Sequence, residues 1–344
     1  MKRCVLTIFL FGLAYSRLVG QSSFSMEVDS LILRGIDQTF ICHFDSALGT
    51  FQKVIDRYPD HIVGYFYQAA TLQSKMMDYE TDRWEKEFYR LVDEARRTGI
   101  KQIEEGDENP WTYFYLGSAF SYKGLYQAKS GGLVSGFLSA RKGLGYLRKA
   151  LERDSTLYDA YLGLGSYQYW SGRFSKYLDW LPGIRDERDE GIRMVKLSVE
   201  NGTFSYWVGI NSLAWIEYDR KHYRIALSLF KKGVEKYPGS RFFLWGVADT
   251  YFRLGYHVQA AKVYNDLLVS IQNDSINNGY NEVVCRFKLV RTHLALKQYE
   301  EALHHCDAIL ERKVSPNIER RIERRLEYTK EYRKKCIKAL RANG

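Results

Sequence analysis

Proline is scarce, with five in 344 residues, and no stretch is Pro-rich or of low complexity. Collagen-like and extended Pro-rich classes are therefore excluded. Cysteine is equally scarce: five thiols, with no C-x-x-C pair and no zinc-ligand spacing. Neither a redox motif, nor a zinc site, nor a disulfide scaffold is supported. No apolar run approaches the roughly 20 residues that span a bilayer. The sequence also lacks H-E-x-x-H and G-x-S-x-G, the spacings that set metal ligands or a nucleophile for hydrolysis. Ser130-Gly131-Gly132 lacks the Gly-Lys-Ser/Thr ending of a phosphate-binding loop. His304, His305 and Cys306 are adjacent, and neighbouring helical residues point about 100° apart, so they cannot converge on one metal. The expectation is a non-enzymatic protein with no metal and no cofactor.

What is present describes a folded chain. Hydrophobic residues make up 45%, aromatics 15% and charged residues 27%, enough to bury a sizeable core. The formal charge of +10 is concentrated at one end: residues 311–344 hold twelve Lys/Arg against five Glu. The body is close to neutral, and no nucleic-acid partner is expected from charge.

Met1-Lys2-Arg3, the apolar run Cys4 to Ser16 and the small residues near Gly20 form the three-part layout of a secretory signal peptide over residues 1–20. The expectation is export, with a periplasmic location after cleavage; an uncleaved anchor is the alternative.

From there the chain alternates helical-period segments with short polar breaks, and it repeats itself. Ala226, Phe230 and Gly233 recur 34 residues later as Ala260, Tyr264 and Leu267, with the same grammar at Ala47, Phe51 and Val54 and at Ala302, Cys306 and Ile309. Each such helix follows one carrying its own small residue, namely Gly117, Gly165, Ala214 or Ala248. Small residues on facing helices let two backbones approach, and the aromatic fills the seam to the next unit. Pro59, Pro110, Pro238 and Pro316 fall at the unit borders, where a missing N–H is tolerated.

This pattern resembles the tetratricopeptide repeat (TPR), a 34-residue helix–turn–helix unit. Tyr158–Gly165 and the motif from Trp180-Leu181-Pro182-Gly183 to Gly191 are similar to a bacterial exported branch, itself distantly similar to eukaryotic inclusion-body-clearance TPR proteins. The resemblance implies an all-α, right-handed superhelix (an α-solenoid) of about seven units over residues 21–316. A basic capping helix and tail follow at 317–344. Insertions are expected around Ser130–Leu133, at Trp170–Asp189 and at Asn273–Gly279, with a long second helix in the second unit.

In such a stack the first helix of each unit lines the concave wall. That assigns Phe66, Tyr67, Phe114, Tyr122, Tyr169, Trp215, Tyr218, Trp245, Phe252, Arg253, Lys288 and Arg291 to a groove for a protein or peptide segment. Aromatic anchors dominate its middle and cations its C-terminal end. Family members that grip a peptide C-terminus use Lys and Asn at set inner positions; Asn211 alone matches in part, so no carboxylate clamp is expected. The alternative is a structural component of envelope assembly acting through the outer surface or oligomerisation, with these rings packed as core. Cys285 and Cys306 fall at nearly the same level of one helix pair, which allows a disulfide; two buried free thiols is the other reading. The C-terminal helix serves as a cap, with weak contact to an anionic membrane as its sharper alternative.

Overall fold

The computed structural model describes residues 26–175 and 185–343. Among the described residues fifteen helices follow one another and no strand occurs. They form seven antiparallel pairs. The first three are α1 (Met26–Phe40) with α2 (Phe44–Arg57), α3 (Ile62–Asp78) with α4 (Glu85–Glu104), and α5 (Pro110–Lys129) with α6 (Leu133–Arg153). The fourth and fifth are α7 (Asp159–Arg173) with α8 (Arg188–Asn201), and α9 (Tyr206–Asp219) with α10 (Tyr223–Lys236). The last are α11 (Arg241–Arg253) with α12 (His257–Gln272), and α13 (Tyr280–Ala295) with α14 (Tyr299–Glu311), before the lone α15 (Pro316–Asn343). The unit count and the terminal cap match the sequence reading. The signal segment 1–20 lies outside the described residues, as do Tyr177 and Trp180 of the expected fourth-unit insertion.

The small-residue code works as a steric device. A Cβ on Gly117 would stand 2.8 Å from the Gly143 carbonyl oxygen, and one on Gly143 would stand 2.6 Å from that of Gly117. Gly165 and Gly191 press together in the same way in the fourth unit. Elsewhere buried alanines (Ala214, Ala226, Ala248, Ala260, Ala302) hold these places. Phe230 lies over Gly246 of the next unit while Phe243 lies over Gly233, so rings and glycines interlock across the border. Pro110 opens α5, where its missing N–H is harmless, and the Asn109 side chain caps the helix by accepting from the Trp111 N–H at 3.0 Å.

The turn within a unit is also repeated. Two residues after the first helix ends, the backbone enters the left-handed region at Cys42, Glu80, Gly131, Lys221, Gly255 and Lys297. Four of these carry a Cβ, which costs about 1–2 kcal/mol in that region. Lys221→Gly and Lys297→Gly are each expected to stabilise the fold by about 0.5–1 kcal/mol, the gain net of glycine's greater freedom in the unfolded chain. Urea unfolding checks this; a lower midpoint in both variants would contradict it.

The third-unit insertion is not a loop. It lengthens both helices, so that α6 begins at Leu133 instead of near Ala140. Gly124, Gly136, Ala128 and Ala140 bring the two backbones together along the added length. Trp170, expected to begin an insertion, is still helical in α7.

The superhelix also closes on itself. The C-terminal ends of α1 and α3 meet the loops that open α11 and α13. Phe40 stacks on Tyr237 and Phe243 with ring centroids 5.1 and 5.5 Å apart, and Tyr237 donates from its hydroxyl to Asp37 at 2.6 Å. Arg241, buried at 6% exposure, donates from Nε to both Asp78 oxygens at 2.9 and 3.0 Å and from Nη2 to Asp274 at 3.1 Å. Asn278 donates to the Tyr79 and Glu80 carbonyls, Asn281 to that of Asp78, and Arg321 of α15 pairs with Glu80. Units one and two are thus bolted to units five to seven.

Candidate functional site

The twelve residues assigned to the concave wall divide by location. Phe66, Tyr67 and Phe114 are buried in the main core, where Phe51, Tyr115 and Trp111 pack their rings within 5.0–5.8 Å. Tyr122 is half-buried against Phe66. Tyr169 is 1% exposed, and its hydroxyl donates to Asp219 at 2.8 Å. In units two to four the inner rings are therefore packing. Rings of the same and adjacent units cover Phe66, Tyr67 and Phe114, and α9 covers Tyr169.

Units five to seven differ. Trp215 and Tyr218 on α9, Trp245 and Phe252 on α11, and Lys288 on α13 are half-buried, while Arg253 and Arg291 are exposed. The spacings 211/215/218, 245/249/252 and 288/291 keep each set on one helical face. Lys288 donates to Asp249 at 2.5 Å and sits over the Trp245 ring, 5.9 Å from its centroid. Tyr264 from the second helix reaches the same carboxylate, and that contact together with burial holds its phenol far above the ordinary range. Arg253 donates to the Tyr218 hydroxyl at 3.2 Å, which with the phenol's charge raises the guanidinium further. Arg291 lies 5.0 Å from the Phe252 centroid. The Asn211 side-chain oxygen, one turn before Trp215, is buried without a hydrogen-bond partner among the described residues. A buried acceptor left unpaired is costly. The face as a whole offers half-buried rings and two exposed guanidinium groups without a carboxylate partner among the described residues.

Sequence reasoning missed the residues that shape this face from behind. Asp159, at the start of α7, is 2% exposed and accepts backbone N–H bonds from Thr203, Phe204 and Ser205 at 2.7–2.8 Å, bracing unit four against unit five. Burial pushes its carboxyl up, and those N–H groups pull it partly back. Asp78 and Arg241 were likewise invisible, because a lone Asp and a lone Arg 163 positions apart carry no local signal.

The cysteine pairing is corrected. Cys285 and Cys306 are free thiols buried in different clusters. Cys285 faces back toward α12 and donates to the Tyr264 carbonyl at 3.1 Å. Cys306 lies in the cluster formed with α15, and the nearby Cys336 is one influence on it. Equal level along a helix pair does not set direction, and these two side chains turn to opposite neighbours. Burial pushes the Cys306 thiol up to about 12 and raises Cys285 further still, which leaves both unreactive. Among the described residues no group of three His, Cys, Asp or Glu side chains could hold a metal, and no helix is long and apolar enough to cross a membrane.

The paired helices, the stacking order and the cap make this a tetratricopeptide-type solenoid. The chain is similar in fold to a chain of the APC/C hetero-tetramer Cut9–Hcn1, with TM-score 0.53 and 15% identity, covering 84% of this chain and 47% of that one. It thus spans about half the length of that relative. It is also similar to PilW, a type IV pilus biogenesis factor (TM-score 0.46, 10% identity, 71% of this chain and 91% of that one). A third is the C-terminal part of a TPR repeat-containing protein from Cytophaga hutchinsonii (TM-score 0.44, 14% identity, 83% and 94%). No protein-family model and no curated protein matches the chain.

Proposed function

We propose that the protein is an exported, non-enzymatic scaffold of the bacterial branch that its motifs resemble. Its inner face in units five to seven holds an extended segment of a protein partner. One observation carries this reading: inner rings that are core at Phe66, Tyr67, Phe114 and Tyr169 stay half-open at Trp215, Trp245 and Phe252, flanked by exposed Arg253 and Arg291. An occupant with acidic and apolar side chains matches that surface. Aromatic and Arg groups in a partly desolvated face are where binding energy concentrates.

A photo-reactive amino acid placed at Trp245 in the source cells is expected to capture one discrete partner. Capture should fall at least tenfold when Arg253→Glu and Arg291→Glu are added. The same probe at Lys262, exposed on α12, should capture nothing. Capture from Lys262 alone, or of only a second copy of this chain from Trp245, would move the function to envelope assembly through the outer surface.

A further inference from the structure

The lengthened α5–α6 hairpin carries a surface that the groove does not use. From Pro110 to Leu151 there is not one Asp or Glu, against six Lys or Arg, in a chain that holds 41 acids elsewhere. The outer face of α6 follows helical spacing through two zones. Next to the turn it is aliphatic: Leu133, Val134 and Leu138 are 52%, 53% and 58% exposed. One to two turns further along it becomes cationic, with Arg141 and Lys142 exposed and then Arg148 and Lys149 exposed. Leu125 of α5, 56% exposed, stands at the same level, since Gly124 packs on Gly136 and Ala140. Lys123 and Lys129 are paired with Asp93 and Glu80 at 3.6 and 3.3 Å. The four cations of α6 meet no carboxylate among the described residues.

Large apolar side chains left in water mark a contact surface, and the charge pattern says which kind. We propose that the tip of this hairpin docks on an anionic lipid surface. Leu133, Val134 and Leu138 enter the boundary of headgroups and acyl chains, and the Arg141–Lys149 zone rests on the lipid phosphates. Aliphatic tips favour lipid over nucleic acid, whose unpaired bases stack on aromatic rings. The hairpin itself carries no acid to be repelled by an anionic bilayer, and of the neighbouring acids near the end of α5 Glu80 is paired with Lys129 and Arg321. Glu80 accepts from both Lys129 and Arg321, so the start of the basic α15 lies beside the end of α5 and adds positive charge near the same end.

The test is co-sedimentation of the full chain with vesicles of phosphatidylcholine alone or mixed with 40% phosphatidylglycerol. Binding is expected only to the anionic vesicles and to weaken in 0.5 M salt. Arg141→Glu with Lys142→Glu should lower the partition coefficient about 25-fold or more, at roughly fivefold per surface cation. Leu133→Ser, Val134→Ser and Leu138→Ser together should lower it about tenfold or more. Arg320→Glu with Arg324→Glu, on exposed positions of α15, should change it less than either. As a second readout, an environment-sensitive dye on Leu138→Cys should shift to the blue on anionic vesicles. Equal binding to both vesicle types, insensitivity to the hairpin variants, or loss caused by the α15 variant alone overturns the proposal. So does tip-dependent self-association, or binding of an acidic protein in place of vesicles.

Discussion

Replacing Arg241 with alanine is expected to cost about 3–5 kcal/mol, the toll of leaving a buried carboxylate without its partner. Asp78 has 4% of its side chain exposed and Arg241 7%. Burial pushes the Asp78 carboxyl up, and the guanidinium opposes that push. Removing Arg241 leaves burial unopposed. The pair joins residues 163 positions apart, so the loss is also topological: α1 to α3 should lose their hold on α11 and α13. Urea unfolding measures the first effect and amide hydrogen exchange of residues 26–80 the second. The double variant Arg241→Met with Asp78→Leu removes the two most buried charges and should recover part of the stability, because a buried ion pair and an apolar pair of similar volume differ little; Asp274, 17% exposed, still loses its partner. A loss under 1 kcal/mol with unchanged exchange would mean that the closure is held by its other contacts, those of Phe40, Tyr237 and Phe243 and of Asn278, Asn281 and Arg321.

A second large effect is expected on acidification. His305 is 7% exposed, and its Nδ1 accepts from the Arg286 guanidinium at 3.3 Å. An imidazole that accepts from a cation must be neutral. Burial first, then the neighbouring His293, Arg286 and His304, lowers its pKa from 6.5 to about 3. The unfolded chain takes up a proton below pH 6.5 that the folded chain refuses. Stability from this group is therefore complete above pH 6.5 and declines as pH falls toward 3, by about 1.4 kcal/mol per unit. Between pH 7 and pH 5 the loss amounts to roughly 2 kcal/mol. His61 acts in the same direction, lowered by burial to about 4. His305→Gln keeps an acceptor for Arg286 and cannot titrate. Comparing the two proteins at pH 7 and 5 isolates the His305 share, and identical pH dependence in both would refute it.

The bound charge network around His305 explains why the last unit can tolerate so many ionic groups. Glu282, 5% exposed, accepts from Arg286 at 3.1 Å and from Gln272 and Asn277 at 3.2 Å, with Arg312 at 3.2 Å. Burial raises its carboxyl, but Arg286, Asn277 and Arg312 outweigh that and hold it below the usual range. The Glu282 end of the seam between α12, α13 and α14 is thereby satisfied, while the wall of Trp245, Phe252 and Arg291 stays partly exposed.

Much of the fold was legible because its code is local. A small residue facing a small residue, a ring at the seam and a proline at the border act within or between adjacent units, so 34-residue self-similarity exposes them. Seven pairs and a cap followed from that alone. The candidate site was legible only as a set of positions: spacing places Phe66, Phe114, Trp215 and Trp245 on equivalent inner faces, but it says nothing about what covers them. Burial there is decided by how far each unit rotates on the last, while Arg241, Asp78 and Tyr237 join distant parts of the chain in a way no local pattern announces. The cysteines teach the same lesson at short range, since level along a helix pair was readable while the direction of Cys285 and Cys306 depended on neighbours one helix further away. The glycine contacts of α5 and α6 likewise gave the insertion expected around Ser130–Leu133 its helical form, because Gly124 and Gly136 let the two lengthened backbones meet. Local sterics were written in the sequence; exposure, closure and pairing are sums over many small rotations, and only the tertiary structure carries them out.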